Sequence, residues 1–134
     1  MDGNYDLNKY FNWKNIMKHF NISEFDSPDL VGSGEAMDRE FLSRLDQARS
    51  LANVPFKISS GIRSEAHNKK VGGVSDSSHL LGFAADIVCT NSVLRHKILT
   101  ALIKVGFNRI GIAKTFIHVD NDPGKPENVI WTYS

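Results

Sequence analysis

The amino-acid sequence predicts an α+β fold in which a small antiparallel sheet is flanked by helices. Apolar residues recur at helical spacing early in the chain, whereas alternating apolar and polar residues dominate its last part. Two of the late alternating segments are separated by a short break that is typical of a hairpin. Because helices gather early and strands late, antiparallel pairing is favoured. With 134 residues the chain is long enough for one domain with a real core, so we expect residues 1–134 to form a single domain.

The first part of the chain predicts two longer helices and a strand. Residues 7–20 carry apolar side chains at helical spacing, and a second such pattern starts near Asp38 and ends at Leu51. Residues 23–36 contain one proline and two glycines and are predicted to be a loop. Residues 55–63 predict a short strand that runs into a turn.

The rest of the chain predicts a short helix, a strand, a helix, a hairpin and a last strand, at residues 64–71, 82–88, 91–102, 108–122 and 129–133. Ser64 is suited to cap the short helix, which two adjacent glycines end. Either Asn91 or Ser92 caps the next helix. The turn of the hairpin is expected near residues 113–115.

Composition excludes several function classes. The net charge of +1 leaves no basic excess, so we expect neither nucleic acid nor an anionic membrane as a partner. Cys89 is the single cysteine, which rules out an intrachain disulfide and a cysteine-based zinc site. The N-terminus lacks a basic leader followed by an apolar core, and no apolar run approaches the roughly 20 residues of a membrane span. We therefore expect synthesis in the cytoplasm without a signal peptide. We also expect the protein to be a monomer.

The candidate site rests on a carboxylate within an apolar run. Asp86 lies in "GFAADIV", where a bare buried carboxylate is costly unless it is paired or bound to a metal. His79 lies seven positions before Asp86, in the longer stretch "SSHLLGFAADIV". Alternation in "FIHVD" places His118 and Asp120 on one face of a strand. Two imidazoles and a carboxylate are the ligand set of a catalytic zinc site that leaves a fourth position for water.

Each of these residues also has a structural interpretation. A single histidine is more often a hydrogen-bonded core residue than a ligand. Asp86 has Arg63 as an available ion-pair partner, which would suit a metal-free structural domain. The three residues together, each embedded in strand-like apolar sequence, favour the metal site.

Two segments carry a family resemblance. "SGIRSEAHNKKVGGVSDSSHLLGFAADI", followed by "IGIAKTFIHVD", resembles the zinc D-alanyl-D-alanine carboxypeptidase family, which is related to phage L-alanyl-D-glutamate endolysins and to the hedgehog signalling domain. The resemblance extends from about Phe25 to Trp131 and leaves residues 1–20 outside as a helical extension. The matching positions are Ser60, Gly61, Arg63, Ser77, His79, Gly82, Ala84, Asp86, His118, Val119 and Asp120.

The resemblance implies a hedgehog-like fold and Zn²⁺ on His79, Asp86 and His118. It also implies that Arg63 steadies the substrate carbonyl or the oxyanion that forms on attack. Gly82 is expected to let the chain approach the metal where a side chain would collide. The implied substrate is a peptide that contains D-amino acids, most plausibly the peptidoglycan stem.

The sequence departs from better-known members at the general base. Several relatives place an acidic residue before the last histidine, but Lys114 and Thr115 occupy the near positions here. Asp120 is the obvious substitute, since residues i and i+2 of a strand face the same side about 6.5–7 Å apart. Its alternative role is to orient His118 from behind, as metal-bound histidines commonly require. We expect Asp120 to be the general base, with the orientation of His118 as the alternative.

Three hypotheses about function follow. The first is a zinc peptidase of the peptidoglycan stem, either a D-Ala-D-Ala carboxypeptidase or an L-Ala-D-Glu endopeptidase, such as a phage lysis enzyme that reaches the wall after holin-type release. The second is a catalytically inactive, zinc-bearing binding or virion-structural module. The absence of an acidic residue shortly before His118 leaves this hypothesis open. The third is the metal-free structural domain.

Overall fold

A computed structural model describes residues 17–134 and has the predicted α+β architecture. The α-helices are α1 (Arg39–Ala52), α2 (Glu65–Lys70) and α3 (Ser92–Lys104). The strands are β1 (Ile58–Ser60), β2 (Ala84–Val88), β3 (Arg109–Ile112), β4 (Phe116–Asp120) and β5 (Val129–Thr132). Short 3₁₀ helices span Ile22–Phe25, Ser33–Ala36 and Ser78–Leu81. None of the helices within residues 17–134 has the length and apolar character needed to cross a bilayer.

The five strands form one sheet in the order β1-β2-β4-β3-β5. Neighbouring strands are antiparallel except at the edge, where β5 runs parallel to β3. The prediction of a mainly antiparallel sheet is therefore confirmed, with one parallel pairing added. This pairing is possible because β4 ends beside the start of β3, so residues 121–128 need only pass that end before β5 begins.

The two faces of the sheet have different environments, as strand alternation requires. Apolar residues of one face pack against α1 and α3 in a single buried cluster that includes Phe41, Leu45, Ile98, Leu102, Ile87, Ile110, Ile117 and Val119. The opposite face carries polar side chains in the central strands. Burial of the apolar face fixes the register, because a shift by one residue would exchange the two faces.

Side-chain caps begin the three α-helices where the sequence predicts. The side chains of Asp38, Ser64 and Asn91 accept hydrogen bonds from the backbone N–H groups three residues later. These caps satisfy donors that have no partner within the helix. Of the two candidates for α3, the cap is Asn91 and not Ser92.

Three predicted elements differ in the structure. The strand predicted at 55–63 is only three residues long, at Ile58–Ser60. The loop at 23–36 includes most of one 3₁₀ helix, which Asn21 caps, and the whole of a second, which follows Gly32 in the left-handed conformation. The predicted helix at 7–20 lies mostly outside the described residues. Its last apolar positions, Met17 and Phe20, are buried but not helical. That the whole chain is one domain stays a prediction.

Candidate metal centre

The polar face of the central strands brings Asp86 and His118 together. Asp86 on β2 pairs with His118 on β4, and the same row continues through Gly111 on β3 to Trp131 on β5. Directly opposite residues in an antiparallel pair have closely spaced side chains on the same face. The sheet register therefore places a carboxylate beside an imidazole without any contribution from loops.

His79 reaches the same point from a 3₁₀ helix and not from a strand. The helix Ser78–Leu81 begins with the Ser77 hydroxyl accepting from the His79 N–H, and it ends at Gly82. The prediction that all three ligands lie in strand-like segments is thus wrong for His79. Its apolar neighbours Leu80 and Leu81 belong to a single tight turn, whose short length left no periodic signal.

Gly82 is required for a different reason from the one predicted. Its φ of +79° lies in the left-handed region, where glycine is strongly favoured. A Cβ atom there would lie 2.6 Å from the carbonyl oxygen of Ala36 and 3.1 Å from the Cα of Met37. Gly82 therefore lets the turn after His79 pack on the loop before α1, and it is this backbone contact, not approach to a metal, that excludes a side chain.

Three potential ligand atoms converge at the centre of the site. His79 Nε2 lies 3.3 Å from Asp86 Oδ1, and His118 Nδ1 lies 3.0 Å from the same oxygen. Each of the three residues offers a ligand atom within 4.8 Å of the other two, and all three residues are buried. Among the residues that the structure describes, this is the one group of at least three such side chains positioned to hold a metal ion.

The outer nitrogens of both imidazoles already have acceptors. His79 Nδ1 donates to the Gly61 carbonyl at 2.7 Å, and His118 Nε2 faces Asp120 Oδ2 at 2.7 Å. In neutral rings, the protons would occupy these outer nitrogens and the inner nitrogens would present lone pairs. Those lone pairs point towards the Asp86 carboxylate, which is also an acceptor. A site at which three acceptors meet requires a proton or a cation, so the donor set fits a metal ion.

The pKa values of the site follow from these contacts. Burial alone would raise the pKa of Asp86, but hydrogen bonds from His118 and His79 outweigh it and hold the pKa well below its usual range. Burial alone would lower the pKa of His118, yet hydrogen bonds to Asp120 and Asp86 raise it. The metal-free site thus favours ionised carboxylates and a protonated His118.

We expect the stability of the zinc-free protein to decrease as pH rises above neutrality. Because the folded pKa of His118 is raised above 6.5, its contribution is complete below that pH and is lost as pH rises through the folded value. The lowered pKa of Asp86 gives a contribution that is present above 3.8 and is lost only in acid. Thermal unfolding of chelator-treated protein between about pH 5 and 9 measures this.

The zinc-saturated protein should show the opposite trend over the neutral range, because protons compete with the metal. A zinc-free protein that gains stability from pH 6.5 upwards would contradict the assignment.

Asp120 lies behind His118, on the side of the ring away from Asp86. Its carboxylate is 1% exposed, and its Oδ1 accepts from Arg109 Nε at 2.7 Å and from the Asp122 N–H at 3.1 Å. Burial alone would raise the pKa of Asp120, but hydrogen bonds with His118 and Arg109 lower it. Both carboxylate oxygens are therefore engaged, one by His118 and one by Arg109.

Arg63 lies beside Asp86 with its guanidinium held on three sides. Nε donates to Ser60 Oγ at 3.0 Å, Nη1 donates to Asn68 Oδ1 at 3.1 Å, and Nη2 lies 3.4 Å from Asp86 Oδ2. The ion pair that the sequence allowed as an alternative is thus present. It coexists with the histidine cluster, because Asp86 uses Oδ2 for Arg63 and Oδ1 for the imidazoles.

Asn68 is a site residue that the sequence analysis missed. It is 4% exposed, accepts from Arg63, and donates through Nδ2 to the Val74 carbonyl at 2.9 Å. It thereby connects the arginine to the loop of residues 72–74. The sequence carried no signal for it, because an asparagine in a short helix is ordinary until its burial is known.

If Arg63 holds a substrate, as the family resemblance implies, Gly73→Ala should reduce turnover without weakening metal binding. A Cβ atom at this position would lie 2.0 Å from Asn68 Oδ1 and 2.9 Å from Arg63 Nη1, so Asn68 must move and release the guanidinium. Misplacing a substrate-positioning group by about 1 Å can cost up to 10²-fold in rate. Steady-state kinetics and metal titration check this, with Gly124→Ala as a control, since its nearest atom is at 3.4 Å. Wild-type turnover in the Gly73 variant would contradict it.

The three converging residues line an open cleft of about 410 Å³. Arg63 and residues 71–74 form one wall, and the aromatic residues Phe116, Trp131 and Tyr133 form the other. A larger cavity of about 570 Å³ lies along α1 and shares no residue with this cleft. The smaller cleft is the candidate substrate site, because it alone of the two contains the clustered histidines.

Gly111 makes the aromatic wall possible. A Cβ atom on Gly111 would lie 2.5 Å from Trp131 Nε1 and 2.8 Å from Tyr133 Cε2. With no side chain there, the Trp131 ring can approach His118, with their centroids 5.5 Å apart. The sequence alone places Trp131 and Tyr133 either in the core or in the wall of a cleft, because their position depends on the parallel pairing of β5.

Comparison with known proteins agrees with this geometry. Residues 18–120 match the family model described as Peptidase M15. No curated protein matches the chain. The match covers most of the sequence, including the three clustered residues, and it confirms the resemblance to the D-alanyl-D-alanine carboxypeptidases. The chain belongs to the peptidase M15 family.

Proposed function

We propose that the protein is a zinc-dependent peptidase that hydrolyses the stem peptide of peptidoglycan. The observation that carries this proposal is the convergence of His79 Nε2, His118 Nδ1 and Asp86 Oδ1 in an open cleft. Membership of a peptidase family supports a peptide substrate. As the sequence analysis expected, action on the cell wall would follow release from the cytoplasm.

The donor set supports zinc as the metal. Two imidazole nitrogens and one carboxylate oxygen are a common catalytic zinc set, and tetrahedral bonds of about 2.0–2.1 Å place neighbouring ligand atoms roughly 3.3 Å apart. The inner ligand contacts of 3.3 and 3.0 Å to Asp86 Oδ1 are close to that spacing. When bound, a zinc ion would act as a Lewis acid that polarises the scissile carbonyl and activates water.

Arg63 is suited to hold the substrate at this centre. Its guanidinium lines the cleft beside Asp86 and is fixed by Ser60 and Asn68. A fixed guanidinium near the developing negative charge of an oxyanion stabilises it without reorganisation. We therefore assign to Arg63 the role that the family resemblance implies.

We assign Asp120 to the orientation of His118, which is the alternative to the role of general base expected from the sequence. Its two oxygens contact His118 and Arg109, so neither oxygen is directed towards the centre of the ligand cluster. Hydrogen bonding of this kind fixes the tautomer and the plane of a metal-bound histidine. The following prediction distinguishes this role from that of a general base.

Asp120→Asn should weaken zinc affinity by about 10–100-fold, while substantial turnover persists at saturating zinc. The amide keeps the shape of the side chain but has one acceptor oxygen where the carboxylate has two, so its NH₂ group must face a donor of either His118 or Arg109. Zinc titration and kinetics at low and saturating zinc measure this. If Asp120 is instead the general base, zinc affinity will be retained and turnover will fall by roughly 10²–10⁴.

Digestion of purified peptidoglycan tests the proposed function. The zinc-loaded protein should release new ends that mass analysis identifies, either free D-alanine or a new amino group at D-glutamate. Asp86→Ala is the matched inactive control, because it removes the carboxylate that both histidines contact. A zinc-bound parent protein with no product on any muropeptide would favour the binding or virion-structural module. A protein that binds no zinc would favour the metal-free domain.

A further inference from the structure

Arg109 is a buried arginine on β3 that the sequence analysis did not single out. Its side chain is 11% exposed, and Nε donates to Asp120 Oδ1 at 2.7 Å. Nη1 donates to the carbonyl of Pro126, in the loop before β5. The guanidinium carbon also lies 5.2 Å from the centre of the Trp131 ring. Three separate contacts therefore hold this guanidinium in one orientation.

These contacts place Arg109 at the outer end of a continuous chain of polar groups. Arg109 contacts Asp120 Oδ1, Asp120 Oδ2 contacts His118 Nε2, and His118 Nδ1 faces Asp86 at the ligand cluster. A carboxylate held at both oxygens has one possible plane. That plane determines where the imidazole of His118 lies.

Burial makes the arginine necessary for this arrangement. Asp120 is 1% exposed, and an isolated buried carboxylate is strongly disfavoured. Without the guanidinium, Asp120 would face His118 and one backbone N–H, at Asp122, with no compensating fixed charge. Arginine suits the position because its planar fork reaches Asp120 and Pro126 at the same time.

We propose that Arg109 is a positioning residue of the metal centre that acts on His118 through Asp120. The inference rests on the proposed function in one respect, namely that His79, Asp86 and His118 hold the metal. It extends that function to a residue outside the ligand cluster. Among residues 17–134, no hydrogen bond or ion pair joins Arg109 to any of the three ligand side chains. Arg109 holds the carboxylate, and the carboxylate holds the ring.

A double-variant cycle in zinc affinity tests this inference. The variants are Arg109→Gln, Asp120→Asn and the combination of both, with affinity measured by competition against a chelator. Arg109→Gln should weaken zinc binding by about 10–100-fold, as is typical when support of a metal-bound histidine is lost. The combined variant should bind zinc within about twofold of Asp120→Asn alone, because the arginine acts through that carboxylate.

Absorption of the cobalt-substituted protein adds a readout that general destabilisation does not change. The visible bands of bound Co²⁺ should shift in Arg109→Gln, because the plane of His118 changes. Arg44→Gln is the matched control: Arg44 pairs with Glu40 on α1, and its loss should leave both zinc affinity and the cobalt bands unchanged.

The outcomes separate this inference from the proposed function. Unchanged zinc affinity in folded Arg109→Gln, or an additive loss in the combined variant, would overturn the role of Arg109 while leaving the zinc centre intact. Arg109→Gln alone could fail to fold, because Asp120 would be left unpaired. The combined variant has a neutral pair at these positions, and comparing its zinc affinity with that of Asp120→Asn still tests whether Arg109 acts only through Asp120. A parent protein that binds no zinc would overturn the proposed function itself.

Discussion

Replacing His118 with alanine is expected to abolish zinc binding and peptidase activity together. His118 is one of the three proposed ligands, and its ring also separates the carboxylates of Asp86 and Asp120. The variant should also lose the stabilisation that bound metal provides, which is about 2.7 kcal/mol when free zinc is 100 times its dissociation constant. Elemental analysis, together with thermal unfolding with and without a chelator, measures both effects.

His96→Ala is the matched control for this change. His96 is an exposed histidine on α3, on the far side of the core from the cleft, so its loss should change neither zinc content nor activity. His79→Ala and Asp86→Ala, in contrast, are expected to lose zinc and activity as His118→Ala does. Full zinc occupancy in the His118 variant would show that the third ligand is elsewhere.

Arg63→Lys is expected to retain zinc but to lose turnover by about 10²–10³-fold. The planar guanidinium contacts Ser60, Asn68 and Asp86 through three different nitrogens. An ammonium group is a single point charge on a flexible chain and cannot reproduce this fork. The catalytic constant and Michaelis constant on a muropeptide at saturating zinc check the prediction.

Arg44→Lys controls for a general effect of exchanging arginine for lysine. Arg44 forms a partly exposed ion pair with Glu40 one helical turn away, an interaction worth well under about 1 kcal/mol. Unchanged turnover in the Arg63 variant would leave Arg63 with only the structural ion pair to Asp86. A loss of zinc would show that the pair is needed to hold Asp86 as a ligand.

Much of the candidate site could be predicted because its residues lie in locally ordered sequence. Alternation on β4 places His118 and Asp120 on the same face, and Asp86 on β2 lies opposite His118 once the strands pair. The cap at Ser64 was similarly visible, because capping depends on residues only three positions apart. Local periodicity is sufficient for such features.

Other parts of the site depended on contacts between distant segments. The 3₁₀ turn that presents His79 has no periodic pattern, and its position depends on Gly82 packing against Ala36. Asn68 and Arg109 appear in the sequence as an ordinary helix residue and an ordinary strand residue. Their partners lie 5 and 11 positions away, and strand pairing or loop closure brings them into contact.

The sequence by itself predicted the class of the fold, the family and the three proposed ligand side chains, because those features reside in short motifs and in local alternation. Tertiary structure alone decided the direction of Asp120, which faces the outer nitrogen of His118 and is held there by Arg109. It also decided the aromatic wall, since Trp131 reaches His118 only when β5 pairs parallel to β3 beside Gly111. The physical reason is that a side chain's chemistry depends on which partners surround it when it is buried, and burial is a property of the packed chain.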